Sequence, residues 1–259
     1  MYNLQTARYA PVAPPEMLQY LADKGALGNY HLLLAHDVVE HLSAYQKMFG
    51  DMLANDCNAI IIIDNSVIEL GFPVSKEVMQ QVRIALPKSI VVMPDVIGNC
   101  RETIEMSIAY YKEFRAMDLF IEPPYMVIPQ GQTLGEFLEC ARQLLYHTDI
   151  PFTWWGIPKH ATFRLGTRHE LITEMHNLDP SIKIHLMGFS NFIADDITCA
   201  GRDCVEGIDS AVPIRLGMQG KPITLDPCVR RSPRENYWER AKAYPIKEAF
   251  YNSSLYNPL

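Results

Sequence analysis

Residues 59–66 read Ala-Ile-Ile-Ile-Ile-Asp-Asn-Ser. The apolar run from Ala59 to Ile63 has the length of one strand. A continuous β-branched run of this size, bounded by polar residues, fits a strand buried on both faces of a parallel sheet. It stops at Asp64, with Asn65 and Ser66 behind it.

Comparable short runs recur along the chain. They are His31–Ala35, Ile90–Pro94, Tyr125–Pro129, Phe152–Gly156, Ile182–Met187 and Val205–Asp209. Between them, apolar residues fall at helical spacing over Val38–Leu53, Glu102–Phe114, Leu134–Tyr146 and His169–Asn177. Strand and helix alternating at about 30-residue intervals indicates βαβ units on a parallel sheet. That makes seven strands, and Ala7–Val12 would supply an eighth and close a (β/α)8 barrel. An open doubly wound sheet gives the same local signals. No Gly-rich phosphate loop follows the first strand, which speaks against a dinucleotide fold. The length of 259 residues suits one barrel domain over 1–259. Residues 219–259 read as an irregular extension with a helix, Arg234–Tyr251, interrupted at Pro245.

Hydrophobic residues make up 48% and charged residues 20%, the balance of an ordinary globular chain. No apolar run approaches the roughly 18 residues of a membrane helix, and the first residues lack a signal peptide's pattern. A cytoplasmic protein is expected. The six cysteines form no CxxC pair, so reduced thiols are expected and no metal site. His36 and His41 are five apart, not the four that puts two ligands on one helical face. The net charge of −7 argues mildly against nucleic acid, although basic residues gather between Arg215 and Lys242.

A barrel carries its chemistry at the C-terminal ends of its strands. Here those ends hold Asp64, Asp95, Gln130, Gly156-Ile157-Pro158-Lys159, Met187-Gly188 and Asp209. Any one strand-end Asp can merely cap the following helix. Three together with Gln130 point to a shared pocket. Two carboxylates facing a pocket suit glycosidic chemistry, one attacking the anomeric carbon and one handling a proton. A third can read a guanine-like edge.

At these residues the chain resembles the tRNA-guanine transglycosylase family. IHLMGFS…GIDSAVPIRLG (184–217) is similar to the family's YLMGVG…GVDxFDCVxPTR region, and IIIDNSVIELG to its LTDSGGFQ segment. VVMPDVIGN, YMVIPQGQ and WWGIPKH resemble three further segments in the same order. The resemblance implies Asp209 as nucleophile, Asp64 as general acid/base and Asp95 as base-recognising residue. It implies Gln130, Gly156, Ile157 and Gly188 as further base contacts, with Met187 and Ile68 covering the two ring faces. Arg215 becomes a phosphate contact, and Lys159 a weaker one.

The family's DSGGFQ glycines are missing at Asn65-Ser66-Val67, and its zinc-binding cysteines are missing around Cys228. The short zinc-less DpdA group, known from phages, is similar in this respect. The implied activity is exchange of guanine in DNA, or alternatively tRNA, for a 7-deazaguanine such as preQ0. It needs no cofactor and no membrane, and a protein partner or homodimer can supply the missing platform. The rival readings are a barrel hydrolase for a nucleoside or sugar, with Asp64 and Asp209 as its pair, and a non-catalytic binding module.

Overall fold

The computed structural model describes residues 8–116, 124–159, 161, 165–189 and 193–217. Eight parallel strands form one sheet: β1 (Arg8–Pro11), β2 (Tyr30–Leu34), β3 (Ile60–Asp64), β4 (Ile90–Val92), β5 (Tyr125–Val127), β6 (Phe152–Pro158), β7 (Lys183–Met187) and β8 (Val205–Ser210). Their order is β1-β8-β7-β6-β5-β4-β3-β2. The end strands β1 and β2 lie side by side, giving a nearly closed (β/α)8 barrel. The open-sheet alternative is thereby removed. The eighth strand lies within the Ala7–Val12 run, paired with β8 in the register Ala10 to Asp209.

Parallel strands in a barrel are covered on both faces, so their side chains divide into two cores. The outward set packs against the helices and includes Ile61, Ile63, Val91, Trp155, Ile157, Ile184 and Leu186. The inward set fills the barrel: Ala10, Tyr30, Leu32, Leu34, Ile62, Val92, Met126, Ile128 and Trp154. The adjacent tryptophans therefore part company, Trp155 toward the helices and Trp154 into the barrel, as alternation along a strand requires.

Among the described residues, four helices start on side-chain caps. Ser75, Asn99, Thr133 and Thr167 each accept a backbone N–H in the next turn, and Thr167 with Glu170 forms a reciprocal capping box. Leu134–Tyr146 forms as expected, and Cys100–Arg115 and Arg168–Leu178 extend their expected ranges slightly. The expected helix over Val38–Leu53 is split into turns, with a π-helical segment at Gln46–Gly50. Helices at Pro15–Asp23, Lys76–Ala85, Ile193–Ala200 and Val212–Gly217 were not anticipated. The extension 219–259, with its expected helix, lies outside the described residues. Among the described residues, no helix is long and apolar enough to cross a membrane.

Gly207 shows how tightly the barrel is filled. A Cβ added there would stand 2.6 Å from the Arg8 carbonyl oxygen and 2.6 Å from a ring carbon of Tyr30. Backbone cannot give way cheaply, so Gly207→Ala is expected to cost about 1–3 kcal/mol, the usual range for overpacking. Urea unfolding measures it, and an unchanged midpoint would contradict this packing.

Candidate active site

The strand ends converge as a barrel should make them. Asp64 closes β3, Asp95 follows β4, Lys159 follows β6 and Asp209 lies near the end of β8. All four line one cavity of about 110 Å³, together with Glu69 and apolar walls from Leu34, Ile68, Ile128 and Met187. Engineered cavities of roughly 150 Å³ take a benzene ring. The space therefore suits one six-membered ring, and a purine would require the rim to open.

The three aspartates occupy unlike environments. Asp64 is buried, and desolvation, then the nearby Glu69 charge, push its carboxyl well above the usual range. The Ser66 backbone N–H, donated at 2.8 Å to Oδ2, works against that shift, while Asp209 and Asp95 add to it. Ser66 holds a left-handed conformation (φ 62°) and is fully buried. Such backbone costs about 1–2 kcal/mol for a non-glycine residue, so the turn is held by its surroundings.

Asp95 is pushed up to about 6, chiefly by burial. Two side-chain amides oppose the shift. Asn65 donates to Oδ1 at 3.0 Å and Gln130 to Oδ2 at 2.6 Å. Each amide is anchored in turn: Asn65 also donates to the Met93 carbonyl, and the Gln130 carbonyl oxygen accepts from the Gly98 N–H. Each carboxylate oxygen keeps lone-pair capacity beyond its one amide donor.

Asp95 binds more protons folded than unfolded between its ordinary value and about 6. Its contribution to stability is therefore largest below pH 4 and is lost as pH rises toward 6. The free energy of unfolding of the wild type, minus that of Asp95→Asn, should fall by about 3 kcal/mol over that window and stay flat above it. Denaturant melts across pH check this, and a difference that does not move with pH would contradict it.

Asp209 is held differently. Its Oδ1 lies 3.0 Å from His185 Nε2 and accepts from the Gly188 N–H at 3.0 Å. Gly188 stands at φ 73°, a conformation glycine adopts without strain. Arg168 fixes that turn from behind. Its guanidinium donates to the carbonyls of Met187 (3.0 Å) and Gly188 (2.7 Å) and pairs with buried Asp196 at 2.6 Å.

The residues expected at the site are distributed as follows. Asp64, Asp95, Asp209, Met187, Ile68 and Lys159 line the cavity. Gln130 lies behind Asp95 and is not part of the lining. Gly156 is inside β6, paired with His185 of β7, and its missing side chain leaves room for Ile128 and Met187. Ile157 points outward among the helices, and its carbonyl accepts from Arg168. Gly188 is not part of the lining but touches two residues that are: its N–H donates to Asp209, and a Cβ on it would stand 3.0 Å from the Lys159 side chain. Arg215 sits in the helix Val212–Gly217, away from the lining. The rest of the basic segment that ends at Lys242 lies outside the described residues, as does Cys228.

Sequence reading missed Tyr30, Asn65, Arg168 and His185. His185 carried a usable signal: it is polar, inside an apolar strand, and two residues from Met187, hence on the same face. Among the described residues, donor atoms of Asp37, Glu40 and His41 also come within 4.8 Å of one another, a metal-sized grouping outside the cavity. Asp37 there already accepts from the Tyr45 hydroxyl.

No family model matches this chain, and no curated protein sequence matches it. Solved structures do. A protein described as a fructose-1,6-biphosphate aldolase, from Coccidioides immitis, aligns over 97% of this chain and 88% of its own, at 10% identity and TM-score 0.51. The likeness is one of fold. N-acetylneuraminate lyase from Mycoplasma synoviae aligns over 97% of both chains at 12% identity and TM-score 0.48. YagE, a prophage protein of the dihydrodipicolinic acid synthase family from E. coli K12, covers 96% of this chain and 80% of its own at 13% identity and TM-score 0.47.

These findings correct the transglycosylase resemblance. The similar fold with a TM-score above 0.5 is described as an aldolase, not a transglycosylase, and no family model or curated sequence supports base exchange in DNA or tRNA. The expectation of 7-deazaguanine exchange and DNA modification falls with it. The physical reason lies in the motifs. A strand ending in a polar residue at a fixed interval is what any (β/α)8 barrel presents at its catalytic face. Short fragments in barrel order therefore report the fold and not the reaction.

Proposed function

We propose that the barrel mouth is an acid–base catalytic site for a small, flat compound that carries two neighbouring N–H donors. The observation that carries this is one cavity holding three carboxylates in three different environments. Pairs of titratable groups pushed apart by their surroundings mark an acid and a base. Asp64, whose carboxyl burial biases toward the protonated form, is the proton donor. Asp209, anchored through Oδ1, is the proton acceptor or attacking carboxylate. Asp95, with both oxygens steadied by amides, accepts a matched pair of donors from the ligand. Apolar walls suit the two faces of a ring, and Lys159 adds a cation to the lining.

The test uses isocytosine, a single ring with adjacent N–H donors, in calorimetric titration at pH 7.5. It should bind. An N-methylated analogue lacking one donor should bind at least about tenfold more weakly, the value of one hydrogen bond to a charged group. No measurable heat with isocytosine, or equal affinity for both compounds, would refute the reading.

The place of Lys159 favours a second reading, imine formation with a carbonyl compound. Its amine would add to the carbonyl carbon and lose water, with the oxygen leaving protonated. Borohydride reduction in the presence of pyruvate would then leave a fixed mass increment on the peptide bearing Lys159. An unmodified peptide removes this reading and leaves the first untouched.

A further inference from the structure

We propose that Tyr30 and His185 are a positioning pair that sets the orientation of Asp209, a role that rests on the acid–base reading of the site. The three residues come from three strands and form one buried chain. The Tyr30 hydroxyl lies 2.6 Å from His185 Nδ1, and His185 Nε2 lies 3.0 Å from Asp209 Oδ1. Tyr30 and His185 are essentially inaccessible to water.

The direction of the chain follows from counting protons. Burial and the nearby Asp209 charge keep the Tyr30 phenol protonated. Among the described residues, His185 Nδ1 is the acceptor within its reach. A buried O–H left without an acceptor costs about 1–3 kcal/mol, so the phenol donates to Nδ1. Nδ1 then carries no proton, and the ring's own proton sits on Nε2. From there it is donated to Asp209 Oδ1. The Gly188 N–H reaches the same oxygen. Among the described residues no donor reaches Oδ2. The chain therefore pins Oδ1 and leaves Oδ2 as the oxygen available to react, on a residue that lines the cavity.

The fit around the pair is close. Gly207 leaves no room for a Cβ beside the Tyr30 ring, and the rings of Tyr30 and His185 lie 5.7 Å apart. The charged groups that bear on Tyr30 are Asp209, Glu206 and Arg8. Asp64 and Asp95 share the cavity with Asp209.

Nitrogen-15 NMR of the ligand-free protein, with ring nitrogens assigned through His185→Gln, tests this directly. The wild type should show His185 with a protonated Nε2 and an unprotonated, hydrogen-bonded Nδ1. Tyr30→Phe keeps the ring and removes only the hydroxyl. It should lose the hydrogen-bonded Nδ1 signal and populate forms protonated at Nδ1. A wild-type ring protonated on Nδ1, or an unchanged His185 spectrum in Tyr30→Phe, would overturn the proposal. Since no ligand is used, failure of isocytosine to bind would sink the acid–base reading separately. A folded near-ultraviolet spectrum of Tyr30→Phe excludes gross collapse as the cause of a change.

Discussion

Arg168→Met is expected to lower the free energy of unfolding by about 3–5 kcal/mol, the cost of breaking a buried ion pair from one side. Arg168 and Asp196 are 3% and 1% exposed, and their contact is 2.6 Å. Removing the guanidinium leaves the Asp196 carboxylate without that partner, and it also strips a donor from the Met187 and Gly188 carbonyls. Replacing both partners with apolar residues, Arg168→Met with Asp196→Leu, should recover part of the loss, because no carboxylate is then left buried without its guanidinium. Equilibrium urea unfolding measures all three. A loss below about 1 kcal/mol for Arg168→Met would mean that the pair contributes little. The effect bears on the site as well, since Arg168 holds the turn whose N–H reaches Asp209.

Asp95→Ala is expected to weaken isocytosine binding by about 10²–10⁴-fold. Two hydrogen bonds to a charged acceptor are worth roughly 1.5–3 kcal/mol each, and each 1.4 kcal/mol is tenfold in affinity. The pH dependence should change too. A donor pair needs the ionised carboxylate, so wild-type affinity should rise as pH increases through about 6 and level off above it. In Asp95→Ala that rise should vanish. A rise near pH 6 that survives the substitution would assign the titration, and the recognition, to another group.

Much of the barrel was legible in the sequence because its strands are buried on both faces. Ile60–Asp64 reads as a continuous apolar stretch with a sharp polar end, and its short length and β-branched content mark it as a strand. Helices were less legible where caps and packing decide them. Lys76–Ala85 starts on Ser75, and Pro15–Asp23 starts on a proline, signals easily overlooked beside the strand pattern. The strand-end aspartates were visible for the same reason as the strands. What they are for was not. The sequence cannot show that Gln130 turns to Asp95 or that Arg168 reaches two strand-end carbonyls, because both depend on contacts between distant segments. His185 was hidden by its apolar neighbours, although its strand parity was readable. The transglycosylase likeness went astray where fold and reaction share the same residues, at the polar ends of barrel strands.

The account stands on Asp64 being a protonated acid in the same cavity as the anchored Asp209. Isotope-edited infrared spectroscopy of protein labelled with carbon-13 aspartate, at pH 8, measures this directly. A protonated-carboxyl band present in the wild type and absent in Asp64→Asn is the expected result. A wild-type spectrum with every aspartate ionised at that pH would contradict it.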